Sequence, residues 1–146
     1  MKANGMNQTS PSLNPPSFIK CVSAMLYESL LLLGVLVFGW LLPHILLLGI
    51  ARVGAPAWVI QVHFIALLGL YFIWFWLNGG QTLAMRTWKI KIVDHSGRPL
   101  RPMQALFRYL AAWLSFVFFI GFLWRFVDPD RQFLHDRLAG SRLILE

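Results

Sequence analysis

The sequence predicts an all-α integral membrane protein, and three observations carry that reading. The chain of 146 residues is 58% hydrophobic and only 13% charged, against the roughly 45–50% apolar and about 25% charged of a soluble domain. Its mean hydropathy is +0.61. A chain this short keeps much of its surface exposed and cannot bury so much apolar material in water. Its apolar residues also fall in runs long enough to cross a bilayer, as the elements below show.

Residues 1–18 are polar and broken by Pro11, Pro15 and Pro16, which reads as a disordered N-terminal tail. No basic-then-apolar segment with a small-residue cleavage site occurs, so the first apolar run is expected to remain as an anchor. The remainder, residues 19–146, is expected to form a single membrane domain. Its membrane segments lie at about 24–51, 57–78 and 105–126, around a loop at 79–104.

Ser29–Ala51 carries no Asp, Glu, Lys or Arg, and about 20 apolar residues span ~30 Å of hydrocarbon. Pro43 is expected to kink this helix. Arg52-Val-Gly-Ala-Pro56 is a tight turn and Ala57–Leu77 a second crossing, so the two form an antiparallel transmembrane hairpin with both ends on one side. The cluster Tyr71-Phe-Ile-Trp-Phe-Trp76 suits the headgroup boundary. In the loop, Trp88-Lys-Ile-Lys-Ile-Val93 alternates as a strand with one apolar face does, and Asp94-His-Ser-Gly97 is turn chemistry. Arg142-Leu-Ile-Leu145 is a second strand candidate, giving a small two-stranded β element on the cytoplasmic side. Before it, Asp130–Ala139 predicts a short amphipathic helix, with Asp128 or Asp130 as its N-cap and Gly140 past its end.

The third apolar run leaves two arrangements open. Its uncharged core, Tyr109–Trp124, is ~24 Å long as a helix, and Arg108 and Arg125 bracket it. Snorkelling arginines let so short a helix cross; alternatively the segment bends near Ser115 or Gly121 and returns. If it crosses, eight Lys and Arg lie on one side and five on the other. If it returns, twelve face Arg52 alone, the split favoured by the positive-inside rule. Pairing of the two strands also requires the return, since strands cannot pair through a bilayer. Sixteen residues, however, make two very short legs. Either way the N-terminus and the 79–104 loop are cytoplasmic.

The formal net charge of +7 is carried by residues flanking apolar runs, which implies topology and anionic headgroups rather than nucleic acid. Cys21 has no partner for an internal disulfide, and no cysteine cluster supports a metal site. No nucleophile triad or nucleotide loop is evident, so neither an enzyme nor a cofactor is expected.

Within this frame Glu28 stands out. It sits about one turn inside the first apolar run, where an ionised carboxylate costs a few kcal/mol unless paired or hydrated. It reads either as a proton or cation site or as an interfacial carboxylate paired with Lys20 or Arg86. Reflection about the hairpin turn puts it level with Asn78–Gln81. The same reflection puts His44 and His63 at one depth on adjacent helices. They read as interhelical hydrogen-bonding partners; a haem or redox role would need more ligands. Asp136 and Arg108 read as an ion pair docking the C-terminal helix, or Asp136 joins Glu28 in a cation path. His135 is assigned a surface or interfacial position, and His95 a solvated one.

The order of these signals resembles the RDD family of bacterial membrane proteins, named for one arginine and two aspartates. The resemblance rests on Ser23-Ala-Met-Leu-Tyr-Glu28, then Gly80-Gln-Thr-Leu83 with Lys89-Ile-Lys-Ile-Val-Asp94, Gly97 and Pro99-Leu100. It continues through Arg108-Tyr109, Asp128-Pro129, Arg131-Gln132 and Leu134-His-Asp-Arg-Leu-Ala-Gly140. Here the family arginine falls at Cys21, with Lys20 the nearest cation, and the first aspartate is Glu28. Ala84 replaces a glycine, and Asp136 is kept. The resemblance implies a multi-pass protein of the bacterial inner (plasma) membrane. It also implies transport of unidentified ligands, with sodium/proton exchange proposed for some members. Glu28, Asp136, Lys20 and Arg108 would then be the ion- or proton-binding residues. Two or three helices cannot enclose an aqueous path, so a homo-oligomer or another membrane protein is expected as partner besides the lipid bilayer. The other expectation is a membrane-anchored interaction or regulatory subunit.

Overall fold

The computed structural model describes residues 15–118, 120–129 and 132–146; most of the expected tail, and Asp130 and Arg131, lie outside them. The chain is mostly helical. Helix α1 (Phe18–Leu36) passes through a π-helical turn at Val37–Leu41 into α2 (Leu42–Ala51). It starts earlier than the composition suggested because Ser17 caps it, its Oγ accepting from the Lys20 N–H at 3.4 Å. The π turn stands where a proline kink was expected. Pro43 cannot donate to the carbonyl four residues back, and the turn before it widens to accommodate the loss.

Helix α3 (Ala57–Leu77) follows, then the short α4 (Leu83–Thr87) and strand β1 (Ile90–Asp94). Phe18–Ala51 and Ala57–Leu77 are the two helical stretches long and apolar enough to cross a membrane among the described residues. Most of their large side chains, such as Leu30, Phe38, Ile50, Trp58 and Leu70, are exposed, which water would penalise and lipid does not. The two stretches lie side by side in antiparallel order. Tyr71 meets Glu28, Phe64 meets Trp40, and Leu67 closes on Gly39, where an added Cβ would come within 3.0 Å.

The third run forms α5 (Pro102–Phe118) and α6 (Ile120–Val127), followed by α7 (Leu134–Leu138) and β2 (Ser141–Leu145). β1 and β2 pair antiparallel, from Ile90 opposite Leu145 to Asp94 opposite Ser141. Arg108 and Arg125 would be ~25 Å apart on one straight helix. Instead Arg108 bonds Asp136 while Arg125 lies over the Phe133 ring, 4.8 Å from its centroid, and Phe126 packs on Phe18. The run is therefore bent, and both its ends reach the end of the molecule that carries the sheet.

Helix α7 is shorter than expected, and Asp128 does not cap it: Phe133 holds the N-cap position with no side-chain bond, and the other expected cap, Asp130, lies outside the described residues. Asp128 instead accepts from the Gln132 N–H at 3.1 Å and from Arg137, bracing the loop that enters α7. Among the described residues two buried clusters hold the elements together. One joins Leu68, Trp76, Ile92, Leu100, Ala105 and Tyr109; the other joins Cys21, Ala24, Ile90 and Phe133. Strand β1 contributes to both, so it ties α1 to the α3–α5 pair.

Candidate functional site

Cys21, Ala24 and Glu28 recur on one buried face of α1, the spacing that stacks side chains along a helix. That face turns toward α3 and the Gly80-Gln-Thr82 turn. Gly80 has a φ of +70°, and an added Cβ would stand 2.5 Å from the Ile92 carbonyl oxygen, so only glycine fits there. Its own carbonyl accepts from the Ile92 N–H at 2.8 Å, laying the turn against β1. Gln81 then donates to the Ile90 carbonyl at 3.1 Å and to the Glu146 carboxylate at 2.7 Å.

Thr82 is thereby aimed at α1. Its Oγ1 accepts from the Met85 N–H at 3.3 Å, capping α4, and donates to Glu28 Oε2. Tyr71 Oη donates to Glu28 Oε1 at 2.7 Å. Glu28 is 8% exposed and Thr82 1%. The carboxyl is thus held by two neutral hydroxyls, and among the described residues it makes no ion pair. Neither Lys20 nor Arg86 pairs with it; both are exposed. Two hydroxyls and two carboxylate oxygens form an all-oxygen set of the kind hard cations accept. Each hydroxyl can also rotate from donating to an ionised carboxyl to accepting from a protonated one.

A second buried centre lies under α5. Arg108 bonds the Asp136 carboxylate, donates to Ser141 Oγ at 2.7 Å and stacks on Trp76, 4.9 Å from the ring centroid. Asp136 is fully buried. His135 is half-buried rather than solvent-exposed: it stacks on Phe133 at 5.5 Å. Burial, then the charge of Arg108, holds its imidazole down to about 3. It is therefore neutral, and its 3.7 Å approach to Asp136 is no ion pair. The ion pair expected between Asp136 and Arg108 is present. No bond joins this centre to Glu28 among the described residues. Arg108 meets α3 at Trp76 and Glu28 meets it at Tyr71, positions about 140° apart around the helix. His95 is exposed, its carbonyl accepting from Arg142.

The His44 and His63 rings meet, with centroids 5.1 Å apart, but among the described residues no hydrogen bond joins them, where an interhelical one was expected. The His44 Nδ1–H donates to the Trp40 carbonyl at 2.6 Å, and Trp40 Nε1 donates to the Ile60 carbonyl at 3.0 Å. Among the described residues no three His, Cys, Asp or Glu side chains group as a metal site.

Sequence reasoning missed Tyr71, read as one ring of an aromatic belt, and Thr82, one residue beyond the level reflected from the hairpin. It also treated Arg125 only as a bracket. Arg125 is buried, donates to the Pro16 carbonyl at 2.6 Å and neighbours Cys21.

The sequence pattern of the RDD family matches residues 15–140. An uncharacterised protein of Rickettsia prowazekii (strain Madrid E) is 34% identical over 74 residues, which is 51% of this chain and 42% of that protein. The chain thus spans less than half the length of this relative. No solved structure matches.

Proposed function

The chain belongs to the RDD family, and from that premise we propose that it is a transport component of the bacterial inner membrane, moving a cation in exchange for protons. The observation that carries the proposal is the Glu28 carboxyl, buried between two membrane-spanning stretches and satisfied by Tyr71 and Thr82 rather than by a basic side chain. A carboxylate neutralised by arginine is locked. One held by hydroxyls changes partner between a proton and a cation without leaving a buried charge unpaired. No covalent catalysis enters this reading.

The topology proposed with it has a transmembrane hairpin from Phe18 to Leu77 and a re-entrant third run. The N-terminus, the 79–104 loop and the C-terminus are all cytoplasmic. Pairing of β1 with β2 supports it, since an open strand pair does not form across hydrocarbon. So does the twelve-to-one distribution of basic residues. Residues 19–146 then act as one domain. Two crossings do not line a path, so the conducting unit is a homo-oligomer or a complex with another membrane protein.

A second reading is an interaction or regulatory subunit. It is favoured by the α4–β1–β2–α7 body, which lies outside the spans and exposes Leu83 and Leu138. One experiment separates the two. In proteoliposomes with an internal pH dye, a monovalent cation gradient should drive proton movement through the wild type. Glu28→Gln should lower it at least tenfold while keeping the same oligomer in detergent. Equal flux in Glu28→Gln, or no flux with any monovalent cation, leaves the regulatory reading.

A further inference from the structure

Along the outer side of the α3–α5 contact runs a groove of about 530 Å³, walled by Ala66, Leu70, Trp74 and Leu77 from α3 and by Leu106 and Tyr109 from α5. This is the size of a ligand site, and its wall is almost wholly apolar. The Tyr109 hydroxyl, the polar group on that wall, is spent on the Ile65 carbonyl at 2.6 Å. Helix α5 runs antiparallel to α3, with Arg108 at Trp76 and Trp113 at Phe64. The groove therefore has one end at Leu77 and Leu106.

That end is basic. Arg86 places its guanidinium beside Gly79, two residues past Leu77, where an added Cβ would be 3.7 Å from Nη2. Arg101 is exposed immediately before α5. Among the described residues neither arginine has an ion-pair partner. Trp74, 61% exposed on the same stretch of wall, has the amphipathic ring found at headgroup level. An apolar trough whose end lies near Arg86 and the exposed Arg101 that precedes α5 has the polarity of a single amphiphile with an anionic head.

We propose that this groove is a binding site for an anionic phospholipid, with an acyl chain between α3 and α5 and its phosphate at Arg86 and Arg101. The occupant is a membrane lipid rather than free phosphate, because the apolar length of the groove would otherwise stay unfilled. The site is separate from Glu28, which lies on α1 and faces Tyr71 and the Gly80-Gln-Thr82 turn. Each arginine contributes about fivefold to retention of an anionic over a zwitterionic head.

The test is native mass spectrometry of the full chain from detergent micelles containing equal phosphatidylglycerol and phosphatidylcholine with the same acyl chains. The wild type should retain phosphatidylglycerol preferentially. Arg86→Gln/Arg101→Gln, both at exposed positions, should lose that preference by about twenty-five-fold. Ala66→Phe, which fills the groove, should lose both lipids. A wild type that does not discriminate, or a double variant that keeps its preference, overturns the proposal. So does a Leu70→Cys variant that cross-links to a second copy as fast with phosphatidylglycerol as without it, because the groove would then be a protein interface.

Discussion

The Arg108–Asp136 pair shows most plainly what a single side chain does in this molecule. Both partners are buried, and Ser141 and the Trp76 ring complete the surroundings of the guanidinium. A buried pair gains little over well-packed apolar groups, but removing one partner strands the other charge, at a cost of about 3–5 kcal/mol. Asp136→Ala should therefore lower the thermal unfolding midpoint in detergent sharply. Asp136→Glu, which keeps the charge, should lower it less; a fall of equal size in both would mean that shape, not charge, holds α7 in place. This ion pair was legible because Arg108 opens the third apolar run and Asp136 sits in a short amphipathic helix, so that docking the helix on the run brings opposite charges together. The partners of Glu28 were not. Tyr71 sits among aromatic residues that any membrane boundary attracts, and Thr82 sits in a turn where threonine is ordinary. Only the folded register brings those hydroxyls to one carboxyl.

Among the elements, the two strands decide the architecture. The alternation in Trp88–Val93 gave away β1, and the residues after Gly140 gave away β2, each to within two positions. The pairing was an inference from geometry, because strand partners leave no mark in a single sequence. The π turn at Val37–Leu41 was likewise hidden. Pro43 announces a disturbance, but whether the helix bends or widens depends on what surrounds it. For α7 the acidic residues nearby imitated a capping signal, while Asp128 was already engaged with Gln132 and Arg137. The pairing can be checked directly. Val93 and Arg142 are cross-strand partners, and such pairs lie within the Cα separation that a disulfide spans. Val93→Cys/Arg142→Cys in a Cys21→Ala background should oxidise to a single intramolecular bond in native membranes. Free thiols under the same oxidant would place the strands apart, and the third run would then have to cross.

Over the whole molecule, membrane character was written in composition, and the proposed inward-facing side in the distribution of arginine and lysine. Both are bulk properties that do not depend on register. How the third run behaves is not a bulk property: sixteen uncharged residues suit a short crossing or a bend equally well, and the contacts of Arg108, Arg125 and Phe126 with one end of the fold tip the balance. The same fold leaves Glu28 at the junction of the spans with the β-bearing body, where a route through an assembly would have to meet water. The claim that this carboxyl exchanges protons and cations has a direct chemical readout. A hydrophobic carbodiimide reacts with protonated carboxyls in apolar surroundings, and the modified peptide can be quantified by mass spectrometry of the protein in liposomes. We predict that Glu28 is labelled and that the transported cation protects it. Glu28 left unlabelled, or labelled at a rate that no cation changes, would contradict the exchange.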